Sequence, residues 1–457
     1  MTEMERMNAL RRFEEGNAPE DAAAVRGLMT GIEVLADFWE KMYLREFIAP
    51  GGSKVKFVTG RRGSGVSFFL KVMEERAVKD NFVKVSFSAR DVWLHDFREI
   101  YLEIFRQCSL DACLQGCADE IIRQMGFEPE KVGAGMTFLD YLSSVGQNNP
   151  LTKKGIRDEL KNMFLDNPRM DNNFALCCSL ITGGILGYPS LEPQSREILI
   201  SFLSGDKTVK LSMLRALGLS PSRITKYNAR HMLRSLCETV RLSGKNGIYV
   251  SIDDLDILVN RAGSANVRYT KMRRDDTYES IRQMIDEIDS FRNIMVVYGF
   301  DRKLMDQEGD GFKSYQALWM RIQNEIVGER FNKFNDIVNL DKLGREIYTP
   351  AVLAEMSVKM ADYGNALISG QTPFETYGAG SGQEESTDTR GPEEVSAYRA
   401  EKPYEAVSAN RAEKPYEAIS AEKAEELIRK AEFGALGLPL MVLQEVQGME
   451  AGQEETR

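Results

Sequence analysis

Residues 54–77 carry the strongest constraint on the fold. Lys54 to Thr59 (KVKFVT) is a short β-rich run, Gly60 to Ser67 reads GRRGSGVS, and Val66 to Ala77 (VSFFLKVMEERA) has helical spacing. A strand, a glycine-rich turn and a helix in direct succession form a β–α unit. Gly60, Gly63 and Gly65 permit a tight turn whose successive N–H groups point inward, and the helix adds the positive end of its dipole. Such a loop is a nest for a polyphosphate. The pattern GxxxxGK[ST] is met at Gly60, Gly65 and Ser67, with Arg61, Arg62, Gly63 and Ser64 as the intervening residues. Ser67 is the expected hydroxyl ligand of Mg2+. The lysine position holds Val66. Losing one charge-assisted phosphate contact costs roughly 1.5–3 kcal/mol, or about one to two decades of affinity. The penalty on catalysis is larger where charge develops in the transition state. Arg61 and Arg62 are the candidate substitutes, Arg61 by reaching a nucleotide across a dimer. The competing reading is a β–α turn without ligand.

The rest of the sheet follows from similar runs. Phe82 to Ala89, Gly247 to Asp254 and Asn293 to Phe300 read as strands, with Asp336 to Leu340 as a fifth. Helical patterns separate them, which predicts a mostly parallel sheet with helices on both faces. Residues 91–243 are helical in pattern and too long for a loop, so they read as a helical insertion. GIYVSIDD at 247–254 ends in Asp253 and Asp254. An Asp ending such a strand holds Mg2+ directly or through water. In the additional-strand branch of these folds the next residue is a Glu that polarises water. Asp254 occupies that slot, one methylene short. The plainer alternative is that this acidic run caps the helix that follows. The fourth strand ends at Gly299 and Phe300, and Phe300 lacks the polar group expected of a γ-phosphate sensor.

Charge separates the body from the tail. From residue 370 onward there are 18 acidic and 9 basic side chains, against 51 and 50 before it. A nearly neutral body gives no global electrostatic case for nucleic-acid binding, which leaves the local basic clusters Arg61–Arg62, Arg223 to Arg234 and Lys271 to Arg274. Six scattered Cys and two His make no zinc pattern and fit reduced, buried thiols. No apolar window approaches the ~18 residues of a membrane span, and the N-terminus lacks a signal core, so a cytoplasmic location is expected. The expected organisation is a helical segment at 1–50, a nucleotide-binding domain at 51–345 with its insertion at about 91–243, and a helical lid remnant at 346–368. Residues 369–457 form an acidic tail. That tail opens on a Gly/Ser/Thr/Glu-rich linker expected to be disordered. A 12-residue tandem repeat follows, RAEKPYEAVSAN at 399–410 and RAEKPYEAISAE at 411–422. Ala421 to Phe433 reads as a solvent-facing helix, and Leu436 to Val446 as apolar enough to dock.

Four segments together resemble the ATP-binding proteins of BREX phage-defence loci, which are AAA+-like P-loop proteins related to origin-recognition and STAND ATPases. They are NALRRFEEGNAP (8–19) with MTGIEVLADFWEKM (29–42), VKFVTGRRGSGVSFFLKVMEERA (55–77), NGIYVSIDDLDIL (246–258) with YESIRQMIDEID (278–289), and KSYQALWMRI (313–322). The resemblance spans 8–350. It implies an AAA+-like, additional-strand α/β fold that binds ATP and Mg2+. It also implies nucleotide-dependent assembly, as a homo-oligomer or with defence-complex proteins, and nucleic acid as a further partner. Arg321 matches a family arginine and becomes a candidate trans-acting or sensor residue, its alternative being a helix-face ion pair. Val66, Asp254 and Phe300 depart from the family frame, which argues for weak or absent hydrolysis and a regulatory or assembly role. Two other readings stay open: an active ATPase that remodels DNA or DNA-bound partners, and a protein-interaction scaffold that binds no nucleotide.

Overall fold

The computed structural model describes residues 2–133, 135–259, 269–323, 330–371, 374 and 416–449. They divide into two compact units, one of residues 32–347 and one joining the N-terminal 31 residues to those from 348 onward.

The larger unit is built on a five-stranded parallel sheet. Its strands are β1 (Ser53–Gly60), β2 (Phe82–Ser88), β3 (Gly247–Asp253), β4 (Ile294–Asp301) and β5 (Ile337–Asn339), in the order β2-β3-β4-β1-β5. β4 therefore lies between β1 and β3. Registers pair Gly60 with Asp301, Ser88 with Asp253 and Thr59 with Asn339, so the C-terminal ends of all five strands meet along one edge. Both faces of the sheet are covered, which is why β1, β3 and β4 read as near-continuous buried runs rather than alternating ones. β2 is an edge strand. The Gln107 side chain accepts from the Ser86 N–H at 2.9 Å and donates to the Ser86 carbonyl at 2.9 Å, which occupies the edge groups a foreign strand would pair with.

Between β2 and β3 the chain is helical, from Phe97–Gln107 through Ala229–Leu242. Its apolar residues join those of β1 to β4 in one hydrophobic core. Within the helical segment expected at 1–50, the chain is α-helical at Glu33–Trp39 and widens to a π-helix over Glu40–Ile48. Tyr43 lies on that widened turn, where its hydroxyl meets the buried Lys56 ammonium of β1 at 2.9 Å. The same ammonium donates to the Asn335 carbonyl at 2.5 Å, which fixes the approach to β5.

The smaller unit is helical: Glu3–Glu14, Ala22–Leu28, Pro350–Ser369, Ala421–Phe433 and Leu438–Val446. Phe13, Tyr363 and Tyr416 pack edge to face at 5.4 and 5.6 Å around Phe13. Here the structure corrects the sequence reading. Helix Ala421–Phe433 does not lie free in solvent, because Ala424, Leu427 and Ala431 are buried in this core. Residues 416–449 are thus packed structure, not tail. The linker expected to be disordered and most of the tandem repeat, through residue 415, lie outside the described residues apart from 369, 370, 371 and 374.

Candidate functional site

β1 ends in the glycine loop and helix Val66–Lys79 leaves it. Gly63 and Gly65 take φ values of 79° and 90°, the left-handed region that favours glycine. Gly65 is the helix N-cap and no side chain caps that end. The first N–H groups of the helix therefore receive no cap from the N-cap residue itself. A Cβ built on Gly65 meets nothing within 4 Å. The loop is an open cradle that a side chain at Gly65 would begin to fill.

The loop is braced by a residue that the sequence did not flag. Asp341, 9% exposed at the start of the helix after β5, accepts the Arg61 N–H at 2.8 Å and the Ser64 hydroxyl at 2.5 Å. Its carboxylate also sits 3.2 Å from the Arg61 guanidinium. Arg61 thus serves the loop's own architecture, while Arg62 is exposed. Opposite the loop's start, the Gly60 carbonyl accepts the Arg302 N–H at 2.8 Å, tying the loop to the end of β4.

The acids of the sheet edge divide into two settings. The Asp253 carboxyl is pushed up to about 6 by burial and by the Asp254 and Asp256 charges; hydrogen bonds from Ser67 and from the Asp254 N–H oppose the shift. The hydroxyl expected to ligate Mg2+ thus acts on the carboxyl expected beside it, lowering it. Gly299 of β4 gives Asp253 and the start of the helix room: a Cβ there would lie 2.7 Å from Leu70 Cδ1, 2.9 Å from Asp253 Oδ1 and 3.0 Å from Val66 Cγ1. Asp254 takes φ 58° and turns towards β2. It accepts from the Ser88 hydroxyl at 2.7 Å and lies 3.1 Å from Arg90 Nε. Asp256 accepts the Asp301 N–H at 3.2 Å, and burial is the main cause that raises its carboxyl.

A comparison with protein families finds that the family described as BREX system ATP-binding protein BrxC/D matches residues 7–358. The chain belongs to that family. No curated protein and no solved structure gives a significant match.

In this BrxC/D chain the remaining expected residues are scattered. Phe300 is buried in an aromatic cluster with Phe57 and Phe312. Arg321 forms a two-pronged ion pair with Asp286, at 3.0 and 2.9 Å, and donates to the Ala317 carbonyl at 2.8 Å. Several cations of the basic clusters already have partners within the fold. Arg230 lies over the Phe97 ring at 4.4 Å, Arg273 over Trp93 at 4.3 Å, and Arg274 is buried and pairs with Asp310 at 2.9 Å. All six cysteines are buried free thiols. Among the described residues no group of three or more His, Cys, Asp or Glu side chains is arranged to hold a metal, and no helix is long and apolar enough to cross a membrane.

Ser88, Arg90 and Asp341 escaped the sequence reading for one reason. Each acts through a tertiary contact from a strand end or loop that no local motif marks.

Proposed function

We propose that this chain binds ATP with Mg2+ at the Gly60–Ser67 loop, hydrolyses it slowly or not at all, and serves as a nucleotide-responsive assembly or regulatory subunit of a bacterial defence complex. The observation that carries this reading is a glycine-cradled helix start with Asp253 and Val66 packed together against Gly299 beside it. The strand order supports an additional-strand P-loop fold, since β4 separates the loop strand from the acidic strand. Family membership supports the nucleotide.

The donor set suits the ligand. Gly63, Gly65, Val66 and Ser67 offer backbone amides to phosphate oxygens without a lysine. Ser67 and Asp253 offer two oxygens to Mg2+, which is commonly held by one or two protein groups plus phosphates and water. Bound ATP would supply the remaining metal ligands and the charge that the amides neutralise. On the chain's side, the metal would hold Asp253 in its ionised form. Asp254 accepts the Ser88 hydroxyl and is one methylene shorter than a glutamate, so it is poorly placed to orient a water. Together with the absence of a lysine, that restraint favours binding over turnover.

Melting of the full chain with ATP, with and without Mg2+, tests this reading alongside a phosphate-release assay. A ligand bound only by the native state raises the melting point as its concentration rises. The expected result is a Mg2+-dependent rise with phosphate release near background. No rise at millimolar ATP would move the chain to the scaffold class. Turnover above about 1 per second, ordinary for an enzyme, would move it to the remodelling ATPases.

A further inference from the structure

The substitution at Val66 leaves the strand edge short of positive charge. Asp253 and Asp301 end adjacent strands, and Asp254 and Asp256 follow closely. A triphosphate adds more negative charge, which one Mg2+ offsets only in part. Arg61 is engaged by Asp341, and Arg302 pairs with Asp306 at 3.0 Å. Arg90 differs from both, because its partner is an acid of the site itself. It follows β2, and its N–H donates to Ser88 Oγ at 3.0 Å. Its Nε lies 3.1 Å from Asp254 Oδ1, and its charge reaches Asp256. The side chain keeps 40% exposure, so its long stem has room to swing from Asp254 to an incoming anion.

Position gives the direction. In P-loop sites the metal bridges the β- and γ-phosphates. Ser67 and Asp253 mark the place of the metal, and the loop that would hold the β-phosphate rises from β1. A terminal phosphate held there would have Asp254 and Arg90, at the ends of β3 and β2, as its neighbours on that side of the sheet.

We propose that Arg90 supplies the positive charge that Val66 does not, by binding the terminal phosphate of a nucleoside triphosphate and so making the site prefer ATP to ADP. The inference rests on the nucleotide reading above. It requires Arg90 to exchange the Asp254 carboxylate for a phosphate oxygen when ATP enters.

Titrations of the full chain with ATP and with ADP, each with Mg2+, test it. Arg90→Ala should lower ATP affinity roughly 10- to 100-fold, the weight of one charge-assisted contact. ADP affinity should move by less than about threefold. Arg90→Gln, which can still donate to Asp254 but lacks the charge, should behave alike and carries the test if Arg90→Ala melts early. Val66→Lys added to Arg90→Ala should restore ATP binding, whereas Arg62→Ala alone should leave the ATP-to-ADP ratio unchanged. The inference is overturned if both Arg90 variants keep the wild-type ratio, if ATP and ADP weaken together, or if the selectivity is lost with Arg62→Ala instead. Wild-type protein that binds neither nucleotide overturns the nucleotide reading itself and the inference with it. Wild-type protein that binds both, with the Arg90 variants unchanged, overturns the inference alone.

Discussion

Residue 253 carries a conflict between folding and the proposed binding. Its carboxyl is raised from 3.8 to about 6, so the folded state holds the proton more tightly than the unfolded chain does. The sign follows from linkage: Asp253 favours folding most below pH 3.8, and that contribution is lost as pH rises through about 6. Without nucleotide or metal, Asp253→Asn should therefore melt higher than wild type near pH 7 and about equally near pH 4. The same variant should lose the Mg2+ dependence of any ATP-induced rise in melting point. Equal melting of the two proteins at both pH values would contradict the burial and repulsion assigned to this group. Asp341→Ala addresses the loop brace. It leaves the Arg61 N–H and the Ser64 hydroxyl without their acceptor. The expected cost is about 1–3 kcal/mol of stability, read by denaturant titration, with a roughly tenfold weaker ATP affinity. Of these residues, Asp253 was legible because a strand ending in acid is a local pattern. Asp341 was not, since a lone acid after a short strand has no signal until β5 sets it beside β1.

At the scale of elements, the strands were the most legible part, and each begins and ends within about a residue or two of its expected bounds. Buried parallel strands print themselves as apolar runs bounded by turns. The widening of 40–48 into a π-helix was illegible, because nothing in the apolar spacing distinguishes it from an α-helix. Helix Ala421–Phe433 was misread for a related reason. A charged helix hides a narrow stripe of small apolar residues, here Ala424, Leu427 and Ala431. Tyr416, from the second repeat copy, docks ahead of that helix. Its hydroxyl donates to Glu14 at 3.1 Å, and the Asn365 amide exchanges hydrogen bonds with its backbone at 3.0 and 3.3 Å. Tyr416→Ala should cost the smaller unit about 3–5 kcal/mol, as large aromatic truncations do, and should speed hydrogen exchange across 421–446. Gly364→Ala tests the same contact from the other side, since its new Cβ would lie 2.5 Å from the Tyr416 ring. Overpacking of that kind costs about 1–3 kcal/mol. Unchanged exchange in both variants would show that Tyr416 does not anchor the segment.

For the whole molecule, the sheet gathers the glycine loop and the acids at one edge and leaves their chemistry to a few exchanges of charge. Val66 withdraws a cation, Asp341 braces the loop, and Ser88 holds Asp254 back. Binding can survive such a set of changes more readily than turnover, because backbone amides hold a ground-state phosphate while hydrolysis also needs a positioned water. The direct test is isothermal titration of the full chain with ATP and Mg2+, repeated after chelation of the metal. The account predicts saturable binding at sub-millimolar ATP that weakens when Mg2+ is removed. A titration that shows no heat of binding at millimolar ATP in either condition would contradict it.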